Sequence, residues 1–160
     1  MPSLYNRHGS TPVRFGEDGM HFLGNPLAIF LAAVGAWLFG GLYYTALSRP
    51  WLAAMGKTME QCEAEMASKS GFAKAVPFVL VFVAELVMAW VLYGILVHIK
   101  TFSIRAGLIT AAICWLGFVL TTTASNNAFA GRKPMLTVID SVAWLGAMLI
   151  MGAIIGWMGM

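Results

Sequence analysis

Four long apolar runs decide what this chain can become. They cover about residues 26–47, 75–98, 104–129 and 135–158, each near the roughly 20 residues needed to cross about 30 Å of hydrocarbon. Lipid offers no water to backbone N–H and C=O groups, so runs of this kind must be helical. The pattern predicts an all-α, integral membrane four-helix bundle in one domain, behind a polar N-terminal tail over residues 1–25. Composition agrees. Of 160 residues, 59% are hydrophobic and 11% charged, whereas a soluble domain carries about 25% charged residues.

Local signals punctuate the runs. Asn25 is a suitable N-cap for the first span and Pro26 suits its first turn. Ala32, Ala36 and Gly40 recur every four residues and offer a smooth strip to another helix, as do Gly152 and Gly156 in the fourth span. Tyr43, Tyr44 and Trp51 fall where an aromatic belt is expected. Between spans one and two, Thr58 and Gln61 frame a capping box that opens a short helix. Met59, Cys62 and Met66 share a face there, opposite Glu60, Glu63 and Glu65, as in a helix lying against the membrane interface. Ser103 is the expected N-cap of span three, and the turn Gly131 to Pro134 separates spans three and four. The leader carries Glu17 and Asp18 and precedes too long an apolar run for a cleaved signal, so the tail is expected to be retained. Such a tail folds best against a partner.

Charge excludes several classes. The net charge of +3 comes from 10 Lys and Arg scattered over loops, not from a basic stripe, which argues against nucleic acid. Loops one and three hold Arg49, Lys57, Lys69, Lys74, Arg132 and Lys133, against Arg7, Arg14, Lys100 and Arg105 on the other side. That bias predicts a multi-pass membrane protein with loops one and three in the cytoplasm. His8, His21 and His98 are isolated, and Cys62 and Cys114 show no ligand spacing, so no metal site and no disulfide are expected. Signatures of a nucleophile with its base, a zinc helix or a phosphate loop are missing, so the chain reads as non-enzymatic.

The remaining polar side chains gather in one half of the membrane. Spans two and four start from the loop-one and loop-three side, where spans one and three end. Tyr43 and Tyr44 close span one, Thr121, Thr122, Thr123, Ser125, Asn126 and Asn127 close span three, and Asp140 opens span four. Glu85, about ten residues into span two, lies about 15 Å deep at 1.5 Å per residue. Intramembrane carboxylates are expensive and must face the bundle or a wet cavity. One reading is a vestibule with Glu85 at its floor, able to exchange protons or hold a cation. Another is plain hydrogen bonding across helices, with Asn126, Asn127 and the hydroxyls as partners, or pairing of Asp140 with Arg132 or Lys133. Trp37, Trp90, Trp115 and Trp144 sit near mid-span and either donate to these groups, line a lipid- or pigment-like cleft, or simply pack. No cofactor is expected beyond such a bound lipid or pigment.

Several stretches carry a resemblance. They are Gly40 to Tyr44, Trp51 with Met55 to Lys57, Trp115 to Phe118, Asn127 to Arg132, and Gly152 to Gly156. In this order and spacing the chain resembles domain-of-unknown-function family 1761, small four-span membrane proteins found largely in bacteria, over about residues 26–157. The resemblance implies the architecture and assigns no activity to any residue. Two roles therefore frame the structural questions. One is an accessory or assembly subunit acting through helix contacts with another membrane protein or a second copy. The other is an oligomeric transporter or proton/cation passage using an intramembrane carboxylate. A membrane enzyme acting on a lipid-soluble substrate is a third class, with only the polar pocket in its favour.

Overall fold

A computed structural model describes residues 25–159; the polar tail therefore lies outside the described residues except for Asn25. Span one, α1 (Pro26–Ala46), begins where the Asn25 side chain accepts from the Ala28 N–H at 3.1 Å. The same side chain donates to the Met158 carbonyl at 3.0 Å, tying the start of span one to the end of span four. Two short helices, not one, then separate spans one and two. The first, α2 (Ser48–Met55), follows α1 almost at once and is closed by Gly56 at φ 75°, a left-handed position that suits glycine. It forms because Leu52 and Ala54 find burial, with Ala54 packed against Leu136 and Ile139 beside Tyr43, Tyr44 and Trp51. The second, α3 (Met59–Ser68), carries the expected capping box, with reciprocal bonds of 3.0 and 3.2 Å between Thr58 and Gln61. Lys57 grips Glu65 of this helix at 2.7 Å and holds that exposed carboxyl below its usual range.

Span two, α4 (Gly71–His98), starts a full turn before residue 75, because Ser70 caps the Ala73 N–H at 3.4 Å. Pro77 therefore lies inside the helix and leaves the Ala73 carbonyl without its usual donor. Span three, α5 (Ile104–Phe129), is capped by Ser103 and is α-helical over Ile104–Cys114 and Thr121–Phe129. Between them the helix widens to a π-helical stretch over Trp115–Leu120. Span four, α6 (Pro134–Met158), completes a bundle whose four long helices are each long and apolar enough to cross a membrane.

The fourth span is the hub. It packs against α1, α4 and α5, and it is the most buried of the four spans. Small residues explain why. At Gly152 an added Cβ would strike the Gly107 backbone of α5, and at Gly156 it would strike the Ser103 backbone. Gly146 receives the Phe39 ring of α1, while Gly35 of α1 receives Ile150 and Ile154 of α6 at 3.2 and 3.1 Å from a built Cβ. In lipid, where helix association gains little from burying apolar area, such close approach supplies much of the holding energy. Ala32 and Ala36 are fully buried at this seam. Gly40 is not part of it, since a Cβ there would meet nothing within 4 Å. A four-residue repeat drifts by about 40° at each step on a 3.6-residue helix, so the strip rotates off the contact by its third member.

The core continues through Ala89, Leu92, Leu96, Ala111, Ala147, Met148, Met151 and Ile155, all apolar. Outside it, Phe78, Val79, Leu80, Val83 and Val87 of α4 are exposed, as a lipid-facing surface should be. Gly152→Ala should destabilise the detergent-solubilised protein by about 1–3 kcal/mol, the usual cost of overpacking. Gly40→Ala should be neutral or slightly stabilising; thermal unfolding of the two variants checks the contrast.

Candidate functional site

The polar groups meet where α1 ends, α2 folds back, and α5 turns into α6. Asp140 is the centre. Its Oδ1 accepts from the Tyr44 hydroxyl at 2.9 Å and from the Trp51 indole N–H at 3.1 Å. Both donors share that one oxygen, and the Tyr44 and Trp51 rings stack edge to face with centroids 5.6 Å apart. Tyr43 bonds the backbone beside them, its hydroxyl donating to the Ile139 carbonyl at 3.0 Å. Two elements, α1 and α2, are thereby fastened to the first turns of α6.

The α5–α6 corner is fastened by Asn127. This side chain is buried; it donates to Thr137 Oγ1 at 3.0 Å and accepts from Arg132 Nη1 at 3.4 Å. The Asn127 carbonyl also accepts the Arg132 N–H at 2.9 Å, while Gly131 makes the turn at φ 62°. Lys133 reaches back to the Ala53 carbonyl of α2 at 2.9 Å. The basic turn thus serves the corner as hydrogen-bond donors. Among the described residues neither Arg132 nor Lys133 forms an ion pair with Asp140.

Two open clefts flank this centre. One, of about 490 Å³, is lined by Tyr44, Trp51, Thr123, Asn126, Asn127, Ala130, Arg132, Asp140 and Trp144. The other, of about 460 Å³, shares Trp51, Arg132 and Asp140 and extends past Lys133 and Leu136. Of the expected polar cluster, Tyr44, Asn126, Asn127 and Asp140 line the first cleft, and Tyr43 packs beside them.

Thr121 and Thr122 do not join. Both are exposed, and Thr121 bonds only carbonyls of its own helix. The π-helical stretch is the reason. Counted from buried Ala111 at 100° per residue, an unbroken α-helix would bring Thr122 within about 20° of the packed face and leave Asn127 about 160° away. One extra residue of winding turns the later segment back by about 100°, which carries Thr122 out to about 80° and brings Asn127 in to about 60°.

Glu85 does not join either. It is 2% exposed, yet it lines neither cleft, and its Oε2 has no hydrogen-bond partner. The earlier start of α4 puts Glu85 fourteen residues into its helix, about 21 Å along, while Asp140 is six residues or about 9 Å into α6. The expected vestibule with Glu85 as its floor is thus two separate features, an interfacial cluster and a lone buried carboxyl.

Two mid-span tryptophans bond across helices. Trp115 donates to the Ser141 carbonyl at 2.7 Å and Trp37 to the Phe78 carbonyl at 3.3 Å, while Trp144 faces the cleft. Cys62 and Cys114 are free thiols, and among the described residues no His, Cys, Asp and Glu group could hold a metal. The role of Trp51 escaped the sequence reading, which put it in an aromatic belt. It lies seven residues after Tyr44, two helical turns, a spacing that could have flagged a shared face.

Comparison with known proteins places the chain at family level. The profile described as "Protein of unknown function (DUF1761)" matches residues 27–156. The chain belongs to this family. No curated protein and no solved structure matches it. The DUF1761 match spans all four long helices and both halves of the Asp140 cluster.

Tyr44→Phe should cost about 1 kcal/mol, the scale of an interhelical bond in a membrane. In a double-mutant cycle with Asp140→Ala, Tyr44 should show coupling of that size and Tyr43→Phe close to none, because Tyr43 bonds a carbonyl. Reversible unfolding in mixed micelles measures both.

Proposed function

We propose that this DUF1761 protein is a non-enzymatic accessory or assembly subunit that works through helix contacts within a bacterial inner membrane. One observation carries the reading. The polar side chains that meet at the α1, α2 and α5–α6 corner bond one another and the backbone across elements, as Asp140 does with Tyr44 and Trp51, instead of converging on a reacting atom. Apart from Glu85 and Ser141 the buried side chains beyond Asp140 are apolar or aromatic, which supports a scaffold over a conduit within one chain. The Lys and Arg bias, six against four, supports loops one and three facing the cytoplasm. Purified in mild detergent at native abundance, the protein should bring down a stoichiometric membrane partner or a second copy. Recovery as a lone monomer would overturn the proposal.

Glu85 favours a second reading. A buried carboxyl with an unsatisfied Oε2 in mid-membrane is a group that a proton or cation passage would use, given an oligomer to complete the path. In that case Glu85→Gln should abolish proton flux into proteoliposomes; flux equal to that of the unmodified protein would exclude the carboxyl.

A further inference from the structure

Arg132 and Asp140 line the same cleft without pairing, and that separation carries the argument. Opposite charges on one wall attract each other. Here each is held by other groups. Tyr44 and Trp51 both bond Asp140 Oδ1, which pins the carboxylate and leaves Oδ2 free of described donors. Arg132 spends one N–H on Asn127 Oδ1 at 3.4 Å, which orients the guanidinium and leaves the rest of its donors for an anion. The cleft therefore presents a pinned acceptor and a cation on one lining. Its complement is a molecule with a cationic donor at one end and an anion at the other.

Volume, depth and lining narrow the class. About 490 Å³ falls within the roughly 300–1,000 Å³ of small-molecule sites. Asp140 lies about 9 Å into α6, Thr123 about 9 Å from the end of α5 and Tyr44 about 3 Å from the end of α1, counted at 1.5 Å per residue. All three are at headgroup depth, not at the centre of the hydrocarbon. Tyr44, Trp51 and Trp144 line the cleft with the carboxylate, and aromatic rings of this kind suit a cation. The open Oδ2 asks that this cation carry N–H, which a primary ammonium has and a trimethylammonium lacks. Phosphate is the anion that the arginine fork matches.

We propose that the cleft at the α2 and α5–α6 corner binds a phosphoethanolamine group, its ammonium on Asp140 and its phosphate on Arg132. This binding is independent of the subunit role above and of Glu85. The group could come from a phosphatidylethanolamine headgroup or from a soluble glycerophosphoethanolamine, and two arms separate them. In the first, the full chain is reconstituted in vesicles of equal phosphatidylethanolamine, phosphatidylcholine and phosphatidylglycerol, then released and weighed by native mass spectrometry. Retention of one phosphatidylethanolamine per chain, about tenfold over either competitor, is expected. In the second, soluble glycerophosphoethanolamine is titrated calorimetrically into protein held in phosphatidylcholine. Binding there without lipid selection supports the same chemistry from the soluble side.

Asp140→Asn keeps an acceptor for Tyr44 and Trp51, so the fold survives while the charge is lost, and selectivity should fall about tenfold. Arg132→Gln, on the exposed rim, should lower phosphatidylethanolamine and phosphatidylcholine retention together. Equal retention of the three lipids with no soluble binding overturns the proposal. So does selectivity that survives Asp140→Asn.

Discussion

The structure depends on how closely α5 and α6 approach at Gly107 and Gly152. Their backbones come so near that a single Cβ on either would collide with the other. In water, helices of this composition would associate by burying apolar area. In lipid that gain is small, and contact distance sets the energy instead. The crossing places the start of α5 against the far end of α6, where Gly156 repeats it against Ser103. Once those ends are clamped, the other ends of the two helices, with Asn127 and Asp140, are brought to one corner. The polar cluster is a consequence of apolar packing elsewhere.

That corner combines restraint with availability. Each polar side chain that crosses between elements spends some of its bonding capacity on structure: Asp140 Oδ1 on α1 and α2, Asn127 on Thr137 and Arg132, Lys133 on Ala53. What remains, an open carboxylate oxygen and most of a guanidinium, belongs to a cleft near the ends of α1 and α5 and the start of α6. Groups held in this way need little reorganisation to meet a ligand. A membrane scaffold and a headgroup site are compatible, because a lipid wedged at a helix corner can become part of the packing itself. Glu85 stands apart from both, in an apolar stretch where its unsatisfied oxygen has no structural use.

Much of the fold was legible because lipid imposes strict rules. The four runs, the Asn25, Thr58 and Ser103 caps, and the contact role of Gly152 and Gly156 all rest on local composition or on spacing within one helix. The cluster of Tyr44, Asn126, Asn127 and Asp140 was also legible, because alternating spans must bring those ends to one side. Less accessible were features that change the phase of a helix. The π-helical stretch at Trp115–Leu120 hides in a sequence with no glycine or proline signal beyond Gly117, and it turns buried Asn127 toward the packed face and exposed Thr122 away from it. Likewise the Ser70 cap lengthened α4 by one turn and put Glu85 fourteen residues from the helix start, where the apolar run alone implied about ten.

By itself, then, the sequence determined the class of solvent, the number of crossings and the end of the bundle at which polar chemistry collects. These follow from hydropathy and from chain connectivity, which no packing detail can reverse. Only the tertiary structure decided which polar groups meet. It turned Trp51 from a belt residue into a donor to Asp140, kept Arg132 off the carboxylate, and separated Glu85 from the cleft. The physical reason is that helix phase, helix start and a fold-back such as α2 are set by contacts between distant residues. A one-residue change in winding turns a side chain by about 100°, and the choice between wall, lipid and cleft lies within that angle.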